Sequence, residues 1–262
     1  LIHSFAFDFS VWEMWGALRF GSSLVIPSYQ ETRDPTLFYQ LVLQTKVTIL
    51  NQTPSAFQLF MQVDQVSPVR VTTLKTVIFG GEALNIGLLA PWWKRYSENQ
   101  PTLVNMYGIT ETTVHTTFKF LTKKDLKRRE FSNIGEPLCD IKAYVVDSFY
   151  QLVPIGVPGE LLLSGFGLSP GYLNRPQLNN EKFIKNNFNK TLNTNNSLID
   201  SVFSRLYKTG DLVRYLSDGS LEYLGRIDKQ LKIKGFRLEA EEIESAIQKH
   251  FAAYFIVFAI CG

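Results

Sequence analysis

The sequence predicts an α/β protein with a mostly parallel sheet and helices, followed by a β-rich part and a final stretch of helix and strand. In the first half, short β-branched runs end in turns, and helical stretches such as Gly87–Asn99 lie between them. That alternation is typical of α/β proteins with parallel strands. Beyond about Ile134 the pattern changes to short strands separated by Gly, Pro and Asp turns, which indicates a β-rich subdomain.

Each element follows from a local pattern, taken in chain order. The first residues form an apolar run that favours a strand, and the runs VTIL, KTVIF and TLVNMY favour further strands. IKAYVVD, GELLLSG and SLEYLGR favour the strands of the β-rich part. Asn186–Ser201 is polar and Asn-rich without periodicity, which predicts an exposed insertion. Apolar residues recur at helical spacing over Glu239–His250, and the run AAYFIVFAI that follows favours a buried strand.

Composition excludes several classes of protein. The 262 residues are 45% hydrophobic and 19% charged, which is ordinary for a folded globular chain. The 27 basic and 24 acidic residues give a net charge of +3, too small to favour nucleic acid or a membrane as partner. Cys139 and Cys261 are isolated, so a reducing, cytoplasmic location without a cysteine metal site is expected. No signal peptide is visible, and the longest apolar run is too short to span a bilayer.

The segment FDFSVWEM places one carboxylate, Asp8, among the aromatic rings of Phe7, Phe9 and Trp12. A charge inside an apolar wall is costly unless it is paired or hydrogen-bonded. Asp8 therefore either lies at the surface or meets a cation, and that cation could be a ligand.

Three loop segments concentrate residues that a scaffold alone does not require. In NMYGITETT, Thr110 and Glu111 are oxygen ligands that suit Mg²⁺ held against phosphates, although a capped helix start explains the pair equally well. In YKTGDL, Asp211 could accept ribose hydroxyls, although TGD is also an ordinary turn. In GRIDKQLKIKG, lysines alternate with apolar residues, as on a solvated strand face. GFGLSPG lacks the GxGxxG spacing, and His3 and His250 are expected to be ordinary residues.

Together and in this order, five segments closely resemble successive core motifs of the adenylation domains of nonribosomal peptide synthetases. They are FDFSVWEM, NMYGITETT, GELLLSGFGLSPGYLNRP, YKTGDL and GRIDKQLKIKGFRLEAEEIE. The resemblance implies that Mg²⁺ and ATP activate an amino acid, that pyrophosphate is released, and that the aminoacyl group passes to the phosphopantetheine thiol of a carrier domain. The implied partners are a peptidyl carrier domain and a neighbouring condensation domain in the same polypeptide.

The resemblance also implies a domain organisation. Residues 1–133 would form the α/β part of the large adenylation subdomain, with the amino-acid pocket and the adenine site. Residues 134–227 would form its β-rich part, with the insertion at 186–201. Residues 228–262 would begin a small, mobile α+β C-terminal subdomain, with Asp228 as its hinge.

The roles carried over by motif cover both substrates. Asp8 would hold the substrate ammonium, Thr110 would meet phosphate oxygens, and Glu111 would bind Mg²⁺. Tyr107 would stack on adenine beside the backbone of Gly81, Glu82 and Ala83. Asp211 would bind the ribose hydroxyls, and Arg226 would bind a ribose or phosphate oxygen. Thr110, Glu111 and Arg226 would be the catalytic residues, since chemistry of this kind depends on positioning and charge neutralisation.

The implied side-chain pocket resembles the pattern of domains that select threonine. Its positions are Asp8, Phe9, Trp12, Asn51, Ile78, Gly80, Met106, Val114 and His115. Phe9, Trp12 and Met106 leave little volume, while Asn51 and His115 can hydrogen-bond a hydroxyl. L-Threonine is the expected substrate. Ile78 and Val114 are equally compatible with ordinary core positions.

Two family elements are missing: the Ser/Thr/Gly-rich phosphate loop with its lysine, and a lysine near the end of the C-terminal subdomain. The chain is therefore expected to be the middle of an adenylation domain, with little or no turnover alone. Two other classes stay open. One is another adenylate-forming ligase acting on acyl or aryl acids, which would not need Asp8 for an ammonium. The other is a degenerate, non-catalytic relative that only binds nucleotide.

Overall fold

A computed structural model describes residues 1–127, 132–188, 197–228, 230–233 and 236–239. The α-helices are α1 (Phe9–Leu18), α2 (Tyr29–Arg33), α3 (Pro35–Gln44), α4 (Pro54–Val66), α5 (Ala90–Arg95), α6 (Pro176–Lys182) and α7 (Ser197–Val202). Short 3₁₀ turns cover Ile86–Leu89, Thr110–Thr112 and Lys123–Lys127. The strands are β1 (Ile49–Gln52), β2 (Thr76–Phe79), β3 (Thr102–Tyr107), β4 (Thr117–Leu121), β5 (Ser132–Pro137), β6 (Ile141–Val146), β7 (Gly159–Gly165), β8 (Phe183–Lys185), β9 (Arg205–Tyr215), β10 (Leu221–Arg226), β11 (Gln230–Ile233) and β12 (Phe236–Glu239).

Ten of these strands form one mixed sheet, which confirms the predicted α/β class. The strand order is β1-β2-β3-β4-β5-β10-β9-β7-β6, with β8 paired to β9, while β11 and β12 form a separate hairpin. Parallel pairing joins β1 to β2 and β2 to β3, and the pairs from β3 onward are antiparallel. The parallel character therefore belongs to the first three strands, and the predicted boundary at 133/134 falls inside β5.

Local sequence signals explain how the helices beside the parallel strands begin. The Asp34 side chain accepts a hydrogen bond from the Thr36 backbone N–H at 2.7 Å, and Pro35 occupies the first turn of α3. Thr53 caps α4 in the same way, and Pro54 follows it. A capping side chain satisfies one of the free N–H groups of a helix start, and proline there costs no hydrogen bond.

A buried cluster of polar and charged side chains lies in the core beside the parallel strands. Asp64 on α4 is 1% exposed and accepts hydrogen bonds from the hydroxyls of Tyr39, at 2.8 Å, and Tyr96, at 2.6 Å. Arg95 at the end of α5 pairs with the same carboxylate at 3.0 Å. Asp64 thus links α3, α4 and α5. Arg95 and the two hydroxyls compensate its charge inside an apolar layer that includes Phe57, Phe60 and Trp92.

The structure corrects three expectations about local elements. No strand is present over residues 1–8, and Phe9–Leu18 is a helix because burial of Phe9, Ser10 and Glu13 follows helical spacing. The helix expected over residues 87–99 is a 3₁₀ turn followed by the shorter α5, with proline in the first turn of α5. The insertion was expected to be exposed throughout, which is wrong at Asn186. That residue is 8% exposed, and its side-chain N–H donates to the Phe203 backbone oxygen at 2.9 Å.

Two expectations about the end of the chain lie outside the described residues. These are the amphipathic helix expected over Glu239–His250, of which only Glu239 is described, as the last residue of β12, and the final apolar strand.

Candidate functional site

The positions predicted to line an amino-acid pocket lie near the carboxyl ends of the three parallel strands and on or beside α1. Asn51, Ile78 and Met106 lie on β1, β2 and β3, and Gly80 follows β2 directly. Phe9, Ile78, Val104 and Met106 form one buried cluster, with Val114 packed against it. The structure thus brings the nine predicted positions to one end of the parallel strands, which is where α/β sheets usually bind ligands.

Asp8 immediately precedes α1 and has an unsatisfied buried atom. Its Oδ2 has almost no accessible surface and no hydrogen-bond partner among the described residues. A buried carboxylate oxygen in that state is unfavourable until a donor or a cation meets it. A charged ammonium group is one donor that would satisfy this oxygen, so the observation agrees with the role that the resemblance implies for Asp8.

His115 is a buried polar residue among the predicted pocket positions. It is 7% exposed, its Nε2 has no hydrogen-bond partner among the described residues, and the rings of Phe9 and Trp12 meet its imidazole edge-on at 5.0 and 4.9 Å. Burial, and secondarily the positive charge of His3, lower the pKa of His115 to about 4. The imidazole is therefore neutral at pH 7, and its Nε2 can donate a hydrogen bond to a substrate hydroxyl or accept one from it, depending on the tautomer.

The Trp12 indole N–H donates to the Asn51 side-chain oxygen at 3.2 Å, which fixes that amide beside the pocket. His3, expected to be an ordinary residue, also contacts one of the predicted pocket positions. Its ring stacks on Phe9 at 4.5 Å, and its Nδ1 lies 3.2 Å from Glu13 Oε1. Glu13 additionally accepts the backbone N–H groups of residues 2 and 3. The only sequence signal for this arrangement is the spacing of Glu13 on the buried face of α1.

Thr110 and Glu111 follow β3 in a 3₁₀ turn. Thr110 is exposed, whereas Glu111 is 6% exposed and its Oε1 accepts the Tyr172 hydroxyl at 2.5 Å. Burial, and next the bond to Glu111, raise the pKa of Tyr172 far above its usual value, so its hydroxyl keeps its proton as the donor. Sequence reasoning missed Tyr172, because 61 residues separate it from Glu111.

The donor set fits Mg²⁺ bound together with a nucleotide. Within the described ranges, no group of three or more His, Cys, Asp or Glu side chains is arranged to hold a metal alone. Mg²⁺ usually binds through one or two carboxylates plus substrate phosphates. A buried, oriented carboxylate at Glu111 beside the exposed hydroxyl of Thr110 matches that requirement.

Tyr107, Asp211, Arg226 and Asp228 form one connected group at the end of β3, on β9 and β10, and just after β10. The Tyr107 hydroxyl donates to Asp211 Oδ2 at 2.5 Å, and Arg226 Nη1 donates to Asp211 Oδ1 at 3.0 Å. Arg226 also binds both carboxylate oxygens of Asp228, at 2.8 and 2.5 Å. Burial, and next the charge of Asp211, raise the pKa of Tyr107. The structure brings together the predicted adenine, ribose and hinge residues, which lie far apart in sequence.

The side chains of Tyr107 and Asp211 are buried in this arrangement and expose little surface to a ligand. Tyr107 is 7% exposed and Asp211 is fully buried. Stacking of adenine on Tyr107 and ribose binding by Asp211 therefore require side chains to move, and both stay predictions.

Gly81, Glu82 and Ala83 follow β2 on the same side of the sheet as the pocket. Glu82 accepts the Ser55 backbone N–H at 3.1 Å and its hydroxyl at 2.9 Å, so it is tied to the first turn of α4. Ala83 is exposed. This leaves the backbone of the segment, more than its side chains, to contact a base.

None of the helices in the described part of the chain has the length and apolar character needed to cross a membrane.

Comparison with known proteins gives consistent matches. The profile of the family described as AMP-binding enzyme matches residues 1–173. The chain is 47% identical over 252 residues to a dimodular nonribosomal peptide synthase of Bacillus subtilis (strain 168), covering 95% of this chain and 10% of that protein. It is 44% identical over 250 residues to malpinin synthetase of Mortierella alpina, covering 95% of this chain and 3% of that protein. The chain thus spans a tenth or less of the length of these relatives.

A solved structure described as an NRPS protein containing adenylation and PCP domains, bound to a vinylsulfonamide inhibitor, superposes with a TM-score of 0.79. Its sequence is 26% identical, and the match covers 94% of this chain and 40% of that one.

Proposed function

The chain belongs to the AMP-binding enzyme family, and from that premise we propose that it contributes to the activation of an amino acid as its adenylate in nonribosomal peptide synthesis. In the proposed reaction, a carboxylate oxygen of the amino acid attacks the α-phosphorus of ATP. The bond from that phosphorus to the pyrophosphate group breaks, which yields aminoacyl-AMP and pyrophosphate. A phosphopantetheine thiol of a carrier domain then attacks the aminoacyl carbonyl, gives up its proton and releases AMP.

The observation that carries the proposal is the unpartnered Oδ2 of Asp8. An ammonium group about 4 Å from this carboxylate gains roughly 4 kcal/mol at an effective dielectric constant of 20. An acyl or aryl acid without an amine offers nothing to that oxygen. Asp8 therefore favours an amino acid over the acids used by other adenylate-forming ligases.

The remaining residues supply position and charge. Glu111, held by Tyr172 at 2.5 Å, would hold Mg²⁺, and the bound ion would neutralise charge on the phosphates. Thr110 would donate its hydroxyl to a phosphate oxygen. Arg226, with a side chain that is 10% exposed, would exchange part of its contact with Asp211 for a ribose or phosphate oxygen.

Threonine is the amino acid that the pocket favours in this proposal. The buried Nε2 of His115 needs a polar partner, and Asn51 is fixed beside it by Trp12. A β-hydroxyl would satisfy such a group, while the aromatic walls restrict the volume to a small side chain.

Carrier-domain partnership has support from relatives. The similar solved structure contains adenylation and PCP domains in one protein. We therefore extend the proposal to a carrier domain that accepts the aminoacyl group. The condensation domain stays a partner that the sequence resemblance alone implies.

The test is amino-acid-dependent ATP–pyrophosphate exchange by the chain expressed with the coding sequence on either side of it. All common amino acids, and matched acids without the amine, are compared as substrates. Strongest exchange with threonine supports both reaction and pocket. Strongest exchange with another amino acid overturns the pocket assignment, exchange with amine-free acids favours the other ligases, and no exchange favours a non-catalytic nucleotide binder.

Asp8→Asn removes the charge and keeps the shape, so it tests the central observation in the same assay. We expect the KM for the amino acid to rise by about 10²–10³-fold, from a lost interaction of up to about 4 kcal/mol, while the KM for ATP changes little. Asp147→Asn is the matched control, since Asp147 is exposed and only caps a turn. An unchanged amino-acid KM in Asp8→Asn would refute the ammonium role.

A further inference from the structure

The loop formed by residues 166–172, which follows β7, lies along the turn that carries Glu111. The Ser169 backbone N–H donates to the Glu111 backbone oxygen at 2.8 Å, and the Thr113 hydroxyl donates to the Gly167 backbone oxygen at 2.7 Å. A Cβ atom on Gly167 would lie 2.6 Å from the Thr112 oxygen, so only glycine permits this approach. The 166–172 loop therefore holds the Glu111 turn through its backbone as well as through side chains.

Tyr172 ends this loop and directs its hydroxyl to Glu111 Oε1 at 2.5 Å. The Tyr207 hydroxyl lies 2.9 Å from the Tyr172 hydroxyl. An ionised carboxylate only accepts hydrogen bonds, so Tyr172 must donate to Glu111 and accept from Tyr207. Two hydroxyls in series polarise each other, which strengthens the bond that reaches the carboxylate.

The backbone of Tyr172 is itself fixed. Its N–H donates to Asn179 Oδ1 at 2.6 Å, and Asn179 Nδ2 donates to the Tyr172 backbone oxygen at 2.9 Å. This two-bond pairing sets the direction of the side chain before any ligand arrives.

The chain just after Glu111 adopts an unfavourable conformation. Thr113 and Val114 have φ angles of 62° and 67°, in the left-handed region that β-branched residues avoid. Such geometry persists only where surrounding contacts hold it, and the bond from Thr113 to Gly167 is such a contact. The loop thus fixes both Glu111 and the approach to His115 in the pocket.

We propose that Tyr172 is a positioning residue for the metal of the nucleotide site: it orients the Glu111 carboxylate toward Mg²⁺. The proposal rests on the proposed function, since it needs a metal–nucleotide site at Glu111. Partners that hold a metal-binding carboxylate commonly change metal affinity 10–100-fold when they are removed.

The test measures binding of Mn²⁺, a paramagnetic substitute for Mg²⁺, by electron paramagnetic resonance in the presence of a non-hydrolysable ATP analogue. The chain is expressed with its neighbouring coding sequence as wild type, Tyr172→Phe and Tyr215→Phe. Tyr215→Phe is the matched control, because it deletes the same group from a hydroxyl that binds only the Ala143 backbone oxygen among its described hydrogen bonds, at 3.1 Å. For Tyr172→Phe we expect the Mn²⁺ Kd to rise by about 10–100-fold, with the Kd for the amino acid unchanged.

Equal Mn²⁺ affinity in Tyr172→Phe and Tyr215→Phe would overturn the proposal, and so would a matching loss of amino-acid affinity, which indicates general damage. If Tyr172→Phe melts at a lower temperature than the control, Tyr207→Phe decides. It leaves the Tyr172–Glu111 bond in place and removes the hydroxyl that lies 2.9 Å from that of Tyr172. A smaller rise in the Mn²⁺ Kd than in Tyr172→Phe is therefore expected, and wild-type affinity refutes the relay. A wild-type protein that binds no Mn²⁺ with nucleotide overturns this inference and the proposed function together.

Discussion

Protonation of His115 should destabilise the fold as the pH falls. The imidazole is 7% exposed between the rings of Phe9 and Trp12, and burial together with the charge of His3 lowers its pKa from 6.5 to about 4. Between these two pH values the unfolded chain binds the proton and the folded chain does not. The stabilising contribution of the neutral imidazole is therefore complete above about pH 6.5 and is lost as the pH falls toward 4.

The size of the effect follows from the two pKa values. A shift from 6.5 to about 4 removes about 2 kcal/mol of unfolding free energy by pH 5 and about 3 kcal/mol by pH 4, relative to neutral pH. His115→Gln removes the titrating group and keeps a polar side chain of similar length. The variant should therefore lack this part of the pH dependence.

Urea unfolding of both proteins at pH 7.5 and pH 5 measures the difference. Carboxylates with lowered pKa values, such as Asp218, also lose their contribution in acid, but they are common to both proteins and cancel. The wild type should lose about 2 kcal/mol more than His115→Gln between the two pH values. Parallel losses would refute the argument, and an NMR titration of the imidazole would show directly whether its pKa lies near 4 or near 6.5.

Three further predictions concern the core and the pocket. Asp64→Ala should lower the free energy of unfolding by about 3–5 kcal/mol, because Arg95 would be left without its buried partner. Urea unfolding measures this loss. A loss no larger than that of the exposed Asp147→Ala would contradict the prediction. Gly80→Ala places a Cβ atom 3.1 Å from a Phe9 ring carbon and 3.3 Å from the His115 ring. This overpacking should lower the free energy of unfolding by about 1–3 kcal/mol and, because both rings are predicted pocket positions, should raise the threonine KM without changing the KM for ATP. In pyrophosphate exchange, serine should lose about 1–3 kcal/mol of transition-state stabilisation relative to threonine, and valine should lose more. A valine rate close to that of threonine would rule out the hydroxyl contacts.

The predicted pocket positions come from the resemblance of segments such as FDFSVWEM and NMYGITETT to family motifs, and strand geometry accounts for the proximity of several of them. Asn51, Ile78 and Met106 are the next-to-last residues of three neighbouring parallel strands, and parallel strands bring their carboxyl ends to one edge of the sheet. Once the strand runs are recognised, residues near their carboxyl ends are expected to lie close together. The strand expected at the start of the chain failed for the opposite reason. Its aromatic residues favour a strand locally, but Phe9 and Glu13 are buried on one face of a helix, so packing outweighed propensity.

The contacts that orient the site could not be predicted from the sequence. Tyr172 and Glu111 are 61 residues apart, and Tyr107 and Asp211 are 104 apart. Each contact depends on the antiparallel half of the sheet, where strands far apart in the chain become neighbours. GELLLSGFGLSPGYLNRP resembles a family motif, but neither its periodicity nor its spacing indicates that Tyr172 contacts Glu111.

The two halves of the site are held together by the sheet and by polar groups buried inside it. Asn105 on β3 donates to the Asn133 backbone oxygen on β5 at 2.8 Å, and the Asn133 side chain donates to Ser220, next to β10, at 3.0 Å. These groups are 2–9% exposed, so a slipped register would leave them unsatisfied.

At the edge of the site, the bond between Tyr107 and Asp211 joins the end of β3 to β9. Several residues predicted for the amino-acid pocket lie on β1–β3, and the predicted ribose and hinge residues lie on and just after β9 and β10. A reaction between two substrates depends on their relative position, and a displacement of about 1 Å can cost two orders of magnitude in rate. The buried hydrogen bonds from β3 across to β10 would therefore serve catalysis by holding a carboxylate bound at one half in line with a phosphate bound at the other.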